Sequence, residues 1–162
     1  KLNYVEAFLG KRAVKVTTAS AAATLIDKQI DLTQSTYYSL FLINKSQSAD
    51  VLLIKDEFLA KNLERVQVRF INLSPDAPAY NLEIQNDTTT FNDRTFKSAT
   101  AFKYIADKTK ATLLLKDKAT GQVLVTLSDV ELKKGFIYSV WAKGLTGTTV
   151  DAQKVSLKVS VH

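Results

Sequence analysis

The chain of 162 residues has no cysteine and no methionine, one tryptophan, one histidine, two prolines and five glycines. Without cysteine there is no disulfide framework, no thiol nucleophile and no thiolate metal site, so the fold rests on packing alone. The single histidine is His162, the last residue, a position that fits the remnant of a tag. Ser-His-Asp and Cys-His constellations therefore lack their parts. The sparse glycines form no phosphate-cradling loop, and no cofactor is expected. No apolar run approaches the ~18 residues that a membrane-spanning helix needs. The missing methionine leads to the expectation that Lys1 is not the start of translation and that a secretory signal or an expression tag has been removed.

What is present is enough to build a core. Apolar residues make up 46% of the chain, which places it among folded proteins. The net charge of +6 comes from lysine, since the only arginines are Arg12, Arg65, Arg69 and Arg94. Nucleic-acid readers cluster their cations on one face or beside stacking aromatics. Here Lys15, Lys103, Lys116 and Lys158 stand singly along strand-like segments, the pattern of a solvated face with protected edges. No nucleic-acid partner is expected, although a general attraction to acidic polymers follows from the charge.

Alternation with a period of two dominates the pattern. Val66 to Phe70, Leu82 to Ile84, Val123 to Leu127 and Val155 to Val161 read as half-buried strands. Turn signals separate them at Leu9 to Lys11, Ser74 to Pro78, Asn86-Asp87, Asn92-Asp93, Ala119 to Gly121, Lys134-Gly135 and Gly144 to Gly147. Strands spaced this way argue for an all-β chain of antiparallel β-sandwich domains, immunoglobulin-like or prealbumin-like. The helical candidate, Asp56 to Arg65, reads as a linker with at most a short turn of helix.

The sequence also repeats itself. Ile30 to Phe41 (IDLTQSTYYSLF) reappears 100 residues on as Val130 to Trp141 (VELKKGFIYSVW), a period too long for a solenoid, whose units run roughly 20 to 50 residues. Tyr4 to Val16 corresponds to Phe102 to Leu114, and Asp50 to Ile54 takes the part of Val155 to Val161. Nothing in the first copy corresponds to Val66 to Ala99. The expected organisation is thus a partial sandwich over residues 1–62, its front half trimmed or supplied from elsewhere, and a complete one over residues 63–162. Tyr37 to Ile43 carries apolar residues on both faces, which suggests a strand buried on both sides.

The run Val68-Arg69-Phe70-Ile71-Asn72-Leu73-Ser74-Pro75-Asp76-Ala77-Pro78, followed by Leu82-Glu83-Ile84, resembles the signature of a bacterial family known only as a domain of unknown function, DUF4397. Leu132 to Gly144, with its earlier copy Leu32 to Asn44, adds a second element: an apolar residue, a turn, a Tyr-Ser pair and an apolar strand. Ser35 stands in the first copy where Gly135 stands in the second, and the first copy has no S-P-D-A-P segment. The resemblance implies exported or lipid-anchored surface proteins with tandem β-sandwich domains, located in the periplasm or on the outer cell surface, with a lipid anchor upstream of Lys1. It implies no chemistry.

Five residues are candidates for a ligand or interaction site. Asp76, between two prolines, offers a carboxylate to a cation or a sugar hydroxyl, but turn chemistry accounts for it: Pro75 presets φ, while Ser74 and Asp76 satisfy turn donors. Arg69 and Asn72 flank Phe70; Asn72 can bond the S-P-D-A-P backbone and Arg69 an acid, either as a polar pocket or as a structural network. Trp141, on the face of Ser139 and Lys143, suits either packing or stacking against a sugar, and Tyr80 is a second stacking candidate. Catalytic and metal sites are not expected, because Asp87, Asp93, Asp107, Asp117 and Asp129 fall mostly in separate turns. The leading expectation is a non-catalytic exported structural or interaction module at the bacterial surface. The alternative is a carbohydrate-binding module using exposed aromatics, so the partners in view are a surface glycan or a protein.

Overall fold

The computed structural model describes residues 3–44 and 48–162. Strand makes up 54% of the chain and helix almost none, and none of the sheets closes into a barrel, as expected of an all-β chain of sandwich type. Two compact units emerge, Tyr4–Glu57 and Phe58–His162.

The first unit consists of two antiparallel hairpins. Strand β1 (Gly10–Thr17) pairs with β2 (Thr24–Leu32), and β3 (Tyr38–Ile43) pairs with β4 (Asp50–Lys55). Ile26, Ile43 and Val51 are buried, and Lys28 reaches from β2 to Asp50 at 2.8 Å. The buried carboxylate of Asp56 accepts hydrogen bonds from the hydroxyls of Tyr4 at 2.5 Å and Ser39 at 2.9 Å. A charge kept from water needs such donors. The expectation that Tyr37 to Ile43 is buried on both sides does not hold: Leu40 and Leu42 are 46% and 58% exposed and Tyr37 is 55% exposed. Among the described strands β3 pairs with β4 alone.

The second unit holds β5 (Val66–Asn72), β6 (Tyr80–Ile84), β7 (Thr90–Arg94), β8 (Lys103–Ile105), β9 (Lys108–Asp117), β10 (Val123–Leu132), β11 (Ile137–Lys143) and β12 (Ser156–Val161). They form two sheets in the orders β10-β9-β6-β7 and β12-β11-β5-β8. Inward alternation from both fills one core. Val66, Val68, Phe70, Val140, Ala142 and Leu157 come from one sheet, and Leu82, Ile84, Phe91, Leu113, Leu115 and Leu132 from the other. All pairs are antiparallel except β5 with β11, which run parallel from Gln67↔Ile137 to Asn72↔Ala142. The unit's first strand thus enters the middle of a sheet whose other members arrive much later in the chain.

β5 is buried at every position, not on one face as its alternation suggested. Its outward Gln67 is covered by the segment read as a linker. The Gln67 carboxamide oxygen accepts from the Leu59 N–H at 2.9 Å, and its nitrogen donates to the Leu59 carbonyl at 3.2 Å. Tyr104 donates its hydroxyl to the carbonyl of Ala60. Residues 58–62 are therefore an extended strap over the outer face. No helix forms, and an Asn62 side chain that accepts from the Glu64 N–H closes the turn before β5.

Two turns recur 100 residues apart. The Thr33 N–H donates to the Tyr38 hydroxyl at 3.3 Å, and the Lys133 N–H to the Tyr138 hydroxyl at 3.0 Å. Ser35 and Gly135 both take left-handed backbone, with φ of +53° and +80°. The sequence departure at Ser35 therefore changes the residue and keeps the turn, at the steric cost that a Cβ brings to that conformation.

Glycine is required more strictly at one position than at another. A Cβ on Gly144, at φ +106°, would lie 2.3 Å from the Lys154 carbonyl oxygen, whereas one on Gly121, at φ +71°, would meet nothing within 4 Å. Gly121→Ala is expected to cost about 1 kcal/mol, the left-handed strain alone. Gly144→Ala adds a backbone collision and should cost at least ~3 kcal/mol. Urea unfolding followed by the fluorescence of Trp141, the only tryptophan, reports this unit directly; equal costs would contradict the assignment.

Candidate functional site

The residues singled out by the sequence gather at two places in the second unit. The first is the end of the sandwich where β5 leads into β6. Pro75 and Asp76 form a turn in which the Ala77 N–H lies 3.4 Å from the Ser74 carbonyl. The Asn72 oxygen accepts from the Ser74 N–H at 3.0 Å, as expected, while its amide nitrogen donates to the Arg94 carbonyl at 3.0 Å. Asn72 is fully buried, and both ends of its carboxamide are engaged.

Ser74 and Asp76 do more than serve their own turn. The Ser74 hydroxyl donates to the Gly144 carbonyl at 2.7 Å. The Asp76 carboxylate accepts from the Thr146 N–H at 3.0 Å and from the Gly147 N–H at 3.4 Å. The S-P-D-A-P loop therefore clasps the β11–β12 connection, 70 residues away in sequence. Partial burial pushes the Asp76 carboxyl up, but the Thr146 and Gly147 donors outweigh it and hold the group below the ordinary aspartate range.

Tyr80 opens β6 and is wholly buried in the core, so it offers no face to a sugar and drops out as a stacking platform. The physical reason is its register: it faces inward on β6, as Leu82 and Ile84 do. Its hydroxyl has no hydrogen-bond partner among the described residues. The neighbouring Ser74 hydroxyl acts on it electrostatically, but donates to Gly144 and falls short of a hydrogen bond to the phenol. Burial, above all, raises the Tyr80 pKa.

The second place is the outer face of the β12-β11-β5-β8 sheet. Arg69 is buried there, its Nε donating to the Ser139 hydroxyl at 2.7 Å and its guanidinium 4.7 Å from the centre of the Phe102 ring. Ser139 also shares a hydrogen bond of 2.7 Å with His162 Nε2, and the His162 ring meets Phe58 and Phe102 edge-on. His162, read as a tag remnant, is thus built into this face. Trp141 lies on the same face, half-buried, and donates its indole N–H to the Ser160 hydroxyl at 3.1 Å. Arg69 and Trp141 sit on the outer face, Asn72 and Asp76 at the loop end, and Tyr80 in the core; they do not converge on one pocket. Ser74, Ser139 and Thr146 complete these networks without any sequence signal of their own beyond their places in turns and strands. Among the described residues, no group of three His, Asp or Glu side chains is arranged to hold a metal.

Two measurements probe this arrangement. Tyr80→Phe removes a buried hydroxyl that lacks a partner and should leave stability unchanged or raise it by up to ~1 kcal/mol in urea unfolding; a loss of 1 kcal/mol or more would reveal a bond to that oxygen. For Asp76, a folded-state pKa below the unfolded value of about 3.9 means that its bonds contribute fully above that pH and are lost as pH falls through the folded value. The stability difference between the wild type and Asp76→Asn should therefore stay level above about pH 5 and shrink as pH falls below about 4. A difference that stays constant or widens in acid contradicts the clasp.

Among the described residues no helix is long and apolar enough to cross a membrane. No curated protein matches the chain. Residues 1–83, more than half of the sequence, match the profile of the family described as Domain of unknown function (DUF4397). The S-P-D-A-P clasp begins within that stretch, and by this match the chain belongs to the DUF4397 family.

Proposed function

We propose that this protein is a non-catalytic β-sandwich module, exported to the bacterial periplasm or outer surface, that acts through its sheet edges and loop ends as a structural or interaction element. The observation that carries this reading is how the polar side chains are used. Asn72, Ser74, Asp76 and Arg69 each hold one part of the second unit to another. A catalytic carboxylate or a ligand-binding arginine needs valence directed at an open site, and the bonds of these groups go to backbone and side chains of the unit itself. The two copies of the Tyr-Ser strand, with the same tyrosine-to-backbone bond at Tyr38 and Tyr138, support a tandem arrangement of sandwich units.

The alternative, a carbohydrate-binding module, now rests on Trp141 alone, since Tyr80 is buried. A polysaccharide pull-down with the full chain separates the two readings. The interaction-module reading expects no retention that depends on Trp141. A glycan retained by the wild type and lost in Trp141→Ala, with an unchanged melting temperature, would overturn it in favour of sugar stacking. Fractionation of the native source tests export, and recovery from the cytoplasm would refute it.

A further inference from the structure

Charge is divided unevenly along the chain. Residues 4–57 carry six basic and six acidic side chains, whereas residues 58–162 carry fifteen basic and ten acidic ones. Within the second unit most of the acids are committed. Glu83, Asp87 and Asp93 pair with Lys116, Lys108 and Lys118 at 2.5, 3.3 and 2.7 Å, which leaves Lys110 as the unpaired lysine of β9 among the described residues. Asp76 and Asp117 accept from backbone N–H groups. The other sheet differs. Its register pairs Trp141 with Lys158 and Lys143 with Ser156, so alternation turns Ser139, Trp141 and Lys143 of β11 outward together with Ser156, Lys158 and Ser160 of β12. None of these is a carboxylate, nor is any outward residue of neighbouring β5. Lys143 and Lys158 make no ion pair or hydrogen bond among the described residues, and they are diagonal neighbours, roughly 7 Å apart along the pleat. Lys158 is exposed and Lys143 half-buried. A lysine on an edge strand such as β12 guards against wrong pairing, but β11 lies inside its sheet, so that role does not account for Lys143.

We propose that this patch binds an acidic polysaccharide, with Lys143 and Lys158 meeting its carboxylates and the Ser156 hydroxyl bonding its sugar hydroxyls. The proposal rests on the interaction-module reading and names the class of its partner. Recognition is by charge, without the ring stacking that defines the alternative reading. Charge complementarity selects an anion, since the face offers cations and hydroxyls and no acid. The outward groups at positions 143, 156, 158 and 160 are all polar, so the occupant brings charges and hydroxyls, not the apolar side chains that a protein partner inserts. Single-stranded nucleic acid fits less well, because it binds on successive stacking rings, and this part of the face carries one indole, its N–H already bonded to Ser160.

The test uses the full chain on immobilised polygalacturonate at low ionic strength, with the methyl-esterified polymer as the neutral control. The double variant Lys143→Gln, Lys158→Gln is compared with Lys61→Gln, Lys110→Gln, which removes the same charge at two exposed lysines that also lack partners among the described residues. The wild type should be retained by the acid polymer and not by the ester, and released by about 0.5 M salt, where charges are screened within a few ångströms. Retention should weaken at least about fivefold in the first variant and stay nearly unchanged in the second. Equal weakening in both variants overturns the proposal and leaves only a general attraction of the basic unit for polyanions. No retention of the wild type, equal retention by the ester, or stronger retention by polyadenylate than by polygalacturonate also overturns it. The two readings fail separately: retention lost in Trp141→Ala ends the interaction-module reading, whereas equal weakening of the two lysine variants ends the lysine patch alone.

Discussion

The second unit depends on one strand that has no solvent side. Val66 to Asn72 bonds β11 on one edge and β8 on the other, turns Val66, Val68 and Phe70 into the core, and sends Gln67, Arg69 and Ile71 outward into cover. Burying a charged arginine is costly unless it is hydrogen-bonded and stacked. Ser139 and the Phe102 ring supply both needs. The strap at residues 58–62 completes the cover through the Gln67 carboxamide. The outer face of β5 is thereby closed by the chain's own bonding.

The loop that follows β5 extends the same logic to the end of the sandwich. Proline on either side of Asp76 fixes the backbone locally, yet the carboxylate acts on the β11–β12 connection. β5, β6 and the β11–β12 connection are therefore held as one piece, and the most distinctive run of the sequence has a structural use. Among the described residues the first unit has two hairpins, and apolar side chains such as Leu40 and Leu42 stand exposed on it.

Local pattern made much of this legible. Period-two alternation found the strands, and Gly and Asn-Asp pairs found the turns. Even Ser35 was readable as the site of Gly135's turn. What alternation could not show was a second cover on β5, because Gln67 and Arg69 look like solvent-facing positions until the strap and Phe102 are in place. Nor could it show Thr146 as the partner of Asp76, since a backbone donor carries no side-chain signal. Tyr80 was misread for a related reason: an aromatic at the start of a strand after a polar loop looks exposed, and only register places it inside. The parallel β5–β11 pair was hidden too, because hairpin signals report only strands adjacent in sequence.

The parallel pairing also sets the order in which the second unit can fold. β5 is synthesised early, yet its inner neighbour β11 arrives about 70 residues later, as the separation of Arg69 and Ser139 shows. Closing so long a loop must precede any gain from the ladder, a topology associated with slow folding. Until β11 emerges, β5 is an apolar strand with an open side and so a site for wrong pairing. In the interval β8, only three residues long, can pair the opposite edge of β5 and the strap from residues 58–62 can cover its outer face, while the edge that β11 will take stays open.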